Sequence, residues 1–316
     1  MEIVFFGSSN FAVPSLEALS ESKHKIICVV TQPDRRGGRG LLRSSTAIKT
    51  IALSKGLRVY QPDNINDPQS IKFLQRFCPD LFIVISYGQI LSSSILNIPK
   101  IFSVNLHASL LPKYRGAAPI NRAIINGETL TGITIIKMNE RMDAGEIILQ
   151  KRVDIEPADT EITLQEKLAK EGPDLLSECL NKIEEGSLSL LKQDVTLVSF
   201  APKLNKNDGL IDWQKEGVKI QNLIRGIEGW PVAFTYYKGK ILKIYKATVF
   251  STSDNRLAGQ PGEVVKVAKE GILVAAGKDN LLIEELQLEG GRRMNVEEFI
   301  CGHKISIGEI LGGKQL

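Results

Sequence analysis

DLFIVISYG (Asp80–Gly88) and IFSVNLH (Ile101–His107) are near-continuous apolar runs, each of a length that suits a single strand. A strand that is apolar on both sides has to be covered on both sides, which is the situation of a parallel sheet packed between helices. The flanking sequence supplies those helices. EIVFFG reads as a first strand and VPSLEALSES as a helix with Pro14 in its first turn. KHKIICVVTQ is a strand, STAIKTIALSKG a helix ending at Gly56, GLRVYQ a short strand, and DPQSIKFLQRF a helix capped by Asp67. After the two apolar runs, APINRAIING reads as a helix, then TGITIIKM and GEIILQKRVDI as paired strands. TLQEKLAKEGPDLLSECLNKIEEG has helical periodicity with an expected interruption at Pro173. This alternation predicts an open, doubly wound, mostly parallel sheet of the Rossmann-like kind.

The chain has 316 residues, more than one core usually serves. The pattern loosens at SLSLLKQDVTLVSFAPKLNKNDG. Beyond one helix, VKIQNLIRGIEG, short strands follow: VAFTYY, KILKIYKATVF, GEVVKV, GILVAAG and NLLIEELQL. Short strands separated by Gly and Pro turns suggest a small antiparallel barrel, of which the oligonucleotide-binding type is one form. The expected division is a first domain at 1–186, a linker at 187–203 and a smaller barrel domain at 204–316.

Several classes are disfavoured. No apolar run approaches the ~18 residues of a membrane span, and MEIVFFGSSN has no basic n-region, so a cytoplasmic protein without a membrane partner is expected. The 4 cysteines have no metal or redox spacing and there are only 3 histidines, so no metal is expected; Cys28 and Cys78 read as packed thiols. FFGSSNFA follows the first strand but lacks G-x-G-x-x-G, and no phosphate-loop motif occurs, which argues against a nicotinamide oxidoreductase. The net charge of +4 is unremarkable, but its distribution is not. Between Asp34 and Asp63 there are 7 basic residues (Arg35, Arg36, Arg39, Arg43, Lys49, Lys55, Arg58) and no acid. A second acid-free stretch, Gly229–Ser253, holds Lys238, Lys240, Lys243 and Lys246. Two such segments are the expected footprint of a polyanion surface.

On a strand, Asn105 and His107 share one face and sit at its carboxyl end, where ligands of open α/β sheets bind. A lone histidine is usually structural; its place beside Asn105 at a strand end lowers that expectation. Asp143, in the loop of NERMDAGEII, reads either as an ordinary turn residue or as a third member of the site. No Ser or Cys accompanies them as a nucleophile. Asn donates to a developing oxyanion, His donates or moves a proton, and Asp orients the imidazole. Such a set suits acyl transfer to an amine supplied by the substrate.

NLHASLLPKYRGAAPI followed by TGITIIKMNERMDAGEI resembles the folate-dependent formyltransferases, through N-x-H-x-S-L-L-P-x-Y-R-G and the D-x-G loop. TQPDRRGGRG, GAAPI, KLNKNDGLIDW and the size of the second domain are similar to the branch acting on methionyl initiator tRNA. The resemblance spans the chain, most strongly before residue 150. It implies formyl transfer from 10-formyltetrahydrofolate to the amino group of that tRNA; a monomer is expected. By the same likeness Asn105, His107 and Asp143 are the catalytic set. Ser109, Leu110, Leu111 and Pro112 would contact the folate, and Ile85, Ser86, Tyr87, Gly88 and Gln89 would border its pterin pocket. Arg35, Arg36, Arg39 and Arg43 would meet the tRNA acceptor end. Arg39 falls at the family's R-G position, but LLRSS then stands where many members carry lysines and prolines. Lys203 and Lys206 match a K-L-x-K segment implicated in tRNA contact, and Lys243 and Lys246 are added from the basic second domain. The alternative acceptor is an amino sugar nucleotide, which needs neither basic element; a non-catalytic tRNA-binding protein would not need the Asn-His-Asp set.

Overall fold

The computed structural model describes residues 1–37, 42–250 and 259–312, and of residues 36, 37, 42 and 43 the backbone alone. Its first strands are β1 (Glu2–Gly7), β2 (Lys25–Val30), β3 (Arg35–Gly37), β4 (Leu42–Ser44), β5 (Val59–Tyr60) and β6 (Leu81–Ile85). They are followed by β7 (Phe102–His107), β8 (Leu130–Lys137) and β9 (Glu146–Asp154). Between them lie α1 (Val13–Ser20), α2 (Ala47–Ser54), α3 (Pro68–Gln75), the short α4 (Ser93–Leu96) and α5 (Pro119–Ile125); α6 (Glu161–Glu184) follows β9. The expected Asp67 cap forms, accepting from the Ser70 N–H, and Thr46 caps α2 in the same way by accepting from the Lys49 N–H.

Seven strands make one sheet in the order β5-β2-β1-β6-β7-β8-β9. The pairs from β5 to β7 are parallel, whereas β7–β8 and β8–β9 are antiparallel. Ile3 to Phe6 and Leu81 to Ile83 are fully buried, as strands covered on both faces must be. The order turns back between β1 and β6, so the switch point of the sheet faces the loops that leave their carboxyl ends. A separate hairpin, β3–β4, stands where the sequence showed only a basic loop.

Pro173 does not interrupt α6, contrary to expectation; the helix runs through it. A proline in a helix interior costs about 3 kcal/mol. Leu168, Leu175, Leu176, Cys179 and Leu180 are all buried along it, and burying such side chains offsets that cost. Cys28 is buried as expected, and burial pushes its thiol up to about 12. Cys78 is exposed instead, because it occupies a left-handed turn (φ 45°) just past α3.

By their contacts the residues form two units, and neither is continuous in sequence. The first holds 1–119, 130–154 and 165–202; the second holds 120–129, 155–164 and 203–316. Residues 187–202, read from sequence as most of a linker, are thus part of the first unit. The second unit contains α7 (Gly217–Gly226), β10 (Ala233–Tyr237), β11 (Lys240–Phe250), β12 (Val264–Ala268), β13 (Gly271–Ala275), β14 (Asn280–Leu288), β15 (Met294–Asn295) and α8 (Val296–Gly302). Its strands form an antiparallel sheet along the path β10-β11-β14-β13-β12, with β15 on β14. Among the described residues no helix is long and apolar enough to cross a membrane.

Phe6 ties the sheet to the loop after β6, packing edge-on against Tyr87 (centroids 5.4 Å apart) and tilted against Phe82 (5.0 Å). It has no exposed surface. Phe6→Ala is expected to lower the unfolding free energy by about 3–5 kcal/mol, the usual cost of emptying a buried aromatic site. Equilibrium denaturation in urea measures it, and a loss below about 1 kcal/mol would mean that the core relaxes around the cavity.

Candidate active site

Asn105 lies on β7 between Val84 of β6 and Ile136 of β8, and His107 pairs with Thr134 at the end of the same ladder. The antiparallel β8–β9 pair then carries the turn with Asp143 back towards this strand end. Asp143 adopts a left-handed backbone (φ 52°), which Asp tolerates better than most residues. A Cβ at Gly145, two residues on, would run into the Lys137 carbonyl oxygen, so the turn closes tightly only with glycine there.

The Asp143 carboxylate joins the set. Oδ2 accepts from the Gly116 N–H at 2.8 Å and Oδ1 from the Asn105 amide at 3.3 Å. The Nδ1 of His107 stands 3.6 Å from Oδ2. Its Nε2 lies 2.9 Å from the Tyr114 carbonyl oxygen, and since a carbonyl only accepts, Nε2 carries the hydrogen in that contact. The imidazole is therefore held at one nitrogen by backbone, with the other turned to the carboxylate. His107 is buried, while Asn105 and Asp143 keep partial access.

The segment after His107 is a scaffold for this arrangement. The Thr134 hydroxyl donates to the Ser109 carbonyl (2.6 Å) and accepts from the Leu111 N–H (3.1 Å). Gln150 donates to the Leu111 carbonyl at 2.8 Å, and the Ser109 hydroxyl donates to the Lys113 carbonyl at 2.6 Å. Gly116, with φ +127°, passes so close to the Ala201 carbonyl that a Cβ would meet its oxygen at 2.5 Å. Tyr114 N donates to the Ser199 hydroxyl at 2.9 Å, and Arg115 pairs by backbone with Ser199 and Ala201. Gln193 donates to the carbonyls of Asp143 and Gly145, each at 2.8 Å. Arg115 and Gly116 close the motif that carries the resemblance but were given no role there, and neither Gln193 nor Ser199 stood out in the sequence. Gly116 in YRGAAP carried a signal, since glycine in a polar turn marks unusual backbone, but Gln193 and Ser199 lie in a stretch without pattern.

The set opens on a cavity of about 410 Å³. Ser86, Tyr87, Gly88 and Gln89 line it, as do Asn105, His107 and Asp143. Ile85, Ser109, Leu110, Leu111 and Pro112 are not among its lining residues. Ile85 and Ser109 are fully buried, and Leu111 packs with Ile136 and Ile147. Ile90, in the ISYGQIL segment expected to border the pocket, adds apolar wall, as do Leu106 and Met138, which the sequence reading did not single out. Among the described residues no group of three or more His, Cys, Asp or Glu is placed to hold a metal ion.

Of the basic residues, Arg35 is exposed on β3 and reaches the Gln32 side chain at 3.4 Å. Arg39 lies outside the described residues, as do the side chains of Arg36 and Arg43. Lys203 and Lys206 are exposed, Lys206 at the start of a short 3-10 turn. Lys243 is half-buried on β11, and Lys246 is exposed but ion-paired with Glu284 at 2.6 Å.

The formyl transferase family profile matches residues 1–180, and the formyl transferase C-terminal domain profile matches 203–304. The chain is 43% identical over 312 residues to a methionyl-tRNA formyltransferase of Acetivibrio thermocellus, covering 99% of this chain and 100% of that protein. It is 45% identical over 312 residues to the methionyl-tRNA formyltransferase of Caldanaerobacter subterraneus subsp. tengcongensis, covering 98% and 100%. Among solved structures, a sugar 3N-formyl transferase crystallised in the presence of dTDP and 5-N-formyl-THF superposes with a TM-score of 0.66. It is 20% identical, with 92% of this chain and 99% of that one covered, a likeness of fold. With relatives of such identity over almost its whole length, the chain belongs to the methionyl-tRNA formyltransferases, a branch of the formyl transferase family.

Proposed function

We propose that this protein transfers the formyl group of 10-formyltetrahydrofolate to the amino group of methionyl initiator tRNA. The observation that carries the reading is the convergence of Asn105, His107 and Asp143 on one cavity, in a chain whose full-length relatives are methionyl-tRNA formyltransferases. A cavity of about 410 Å³ is of the size that takes a small planar ligand, and its wall is largely apolar with an amide donor at one end. These residues fit a formyltetrahydrofolate, which when bound supplies an activated formyl carbon.

In this reading Ser86–Gln89 hold the ring system, and the Asn105 amide donates to the formyl oxygen as negative charge grows on it. The approaching amine has to lose a proton, and the Asp143 carboxylate is placed to hold it. His107 stands against that carboxylate with Nε2 fixed on Tyr114, so the ring keeps its orientation while charge moves beside it. Ser109–Pro112 act by supporting the strand end. The basic elements, Arg35–Arg43 with Lys203, Lys206 and Lys243, meet the phosphates of the tRNA. An amino sugar nucleotide as acceptor has in its favour only a likeness of fold at 20% identity.

Asn105→Ala and His107→Ala should each lower the formylation rate roughly 100- to 1000-fold, the usual loss for an oxyanion donor, with tRNA affinity kept. Asp143→Asn should behave similarly. The assay follows formylmethionyl-tRNA from 10-formyltetrahydrofolate, with an amino sugar nucleotide as the competing acceptor. Near-native turnover in any of the three variants removes that residue from the mechanism, and a preference for the sugar removes the tRNA reading.

Arg39→Ala should lower turnover and blunt discrimination between initiator and elongator tRNA. Lys243→Ala should weaken binding to any tRNA and reduce the salt slope by about one phosphate contact. Lys246→Ala should do less than Lys243→Ala, because Glu284 already neutralises Lys246. Kinetics and binding at two salt concentrations separate these outcomes; equal effects at 243 and 246 would show that the Glu284 pair opens when tRNA binds.

A further inference from the structure

Gln193 stands in the stretch 181–202, between the residues matched by the two family profiles, yet it reaches into the site. Its amide is committed at both ends. Nε2 donates to two carbonyls, those of Asp143 (2.8 Å) and Gly145 (2.8 Å). Oε1 accepts from the Arg115 guanidinium twice, from Nε at 3.1 Å and Nη2 at 2.8 Å. A guanidinium only donates and a carbonyl only accepts, so the amide has one possible orientation. No other side chain of this length presents two donors to the turn and an acceptor to Arg115.

These contacts close a ring. Arg115 precedes Gly116, whose N–H donates to the Asp143 carboxylate, while Gln193 holds the backbone of the same Asp143. The segment bearing Gln193 is itself fastened to the sheet: Leu191 exchanges both backbone hydrogen bonds with Ile147 of β9, at 2.8 and 2.9 Å. The left-handed turn at Asp143 is thus gripped from side chain and main chain together. We infer that Gln193 is a positioning residue for formyl transfer, setting the Asp143 carboxylate against Asn105 and His107 through the Asp143–Gly145 turn. The inference rests on the function proposed above in so far as Asp143 acts in the reaction.

The test uses full-length Gln193→Met, which keeps length without donors, and Gln193→Glu, which keeps the Arg115 pair but turns an oxygen on the two carbonyls. Each should lower kcat by about 10- to 100-fold, the effect of a displaced reacting group, with KM for both substrates within about twofold. Combined with Asp143→Asn, either substitution should cost less than about twofold more, because the two residues act as one unit. Equal losses with and without Asp143, or unchanged kcat, would overturn the inference. Hydrogen exchange over residues 138–146 reads the turn without any substrate and should speed up in both variants while β7 stays protected. Unchanged exchange overturns the inference whatever the assay gives. Absence of formylation by the unaltered protein, with faster exchange in the variants, would instead sink the proposed function and leave the clamp standing.

Discussion

A carboxylate only accepts hydrogen bonds, and the one on Asp143 takes its donors from places far apart in the chain. Gly116 contributes a backbone N–H, Asn105 an amide, and the His107 ring stands beside the same oxygen as Gly116. The side chain is 12% exposed, so water cannot fully replace a partner that is lost. An ionised group in that position is tolerable only while its donors stay in place. The end of β7, the turn after it and the β8–β9 turn must therefore be in mutual register before the charge can be accommodated. That requirement selects one arrangement of three segments whose own sequences would allow many.

The sheet meets this requirement by being rigid where the chemistry is not. At its centre β6 is apolar and buried throughout, and the ladder pairs it with β7 as far as Val84 and Asn105, so the level at which Asn105 emerges is fixed. Irregular backbone is concentrated just beyond. Of the six non-glycine residues with positive φ among those described, Ser86, Tyr114 and Asp143 belong to the loops around the site. Left-handed backbone costs about 1–2 kcal/mol per residue, and each of these three is held by specific contacts. Tyr87, next to Ser86, offers its carbonyl to the Ser8 hydroxyl at 3.0 Å. Tyr114 is held by Ser199 and spends its carbonyl on His107. Asp143 is held by Gly116 and Gln193. The strain sits where backbone groups are turned to face a side chain of the site.

What the sequence revealed follows from what is encoded locally. Periodicity places β1, β6 and β7 because burial on two faces demands apolar runs, and Asn105 and His107 were legible because a polar pair ending such a run is conspicuous. Asp143 was ambiguous by itself, since Asp is an ordinary turn residue; the resemblance to formyltransferases assigned it. Pro173 misled because helix propensity is a local cost, whereas the burial that offsets it is collective. Cys78 misled because an apolar neighbourhood in sequence does not say on which side of a turn the thiol emerges. Gln193 and Ser199 were invisible: each acts through hydrogen bonds to residues tens of positions away, and no periodicity marks such a role. The same holds for Thr134 and Gln150 under the Ser109–Pro112 turn, and for the discontinuity of the two units.

Charge shows the same limit in a different form. Asp34–Asp63 and Gly229–Ser253 are free of acids between their ends, but acids from elsewhere come to several of their lysines. Lys55 pairs with Glu21 at 2.7 Å, Lys238 with Glu309 at 2.8 Å and Lys246 with Glu284 at 2.6 Å. Lys49 pairs with Asp34 at 2.6 Å, and Asp34 also accepts from Gln61 at 2.9 Å. A neutralised lysine adds little to the field that draws a polyanion from a distance. Lys49 and Asp34 act instead on structure, because Asp34 immediately precedes β3 and its two partners fix the root of the β3–β4 hairpin against α2 and the segment after β5. Arg35, the hairpin arginine whose side chain is described, therefore stands exposed on a base fixed by Lys49 and Gln61. A basic run thus divides its labour: Lys49 and Lys55 are spent on ion pairs within the fold, while Arg35 stays exposed.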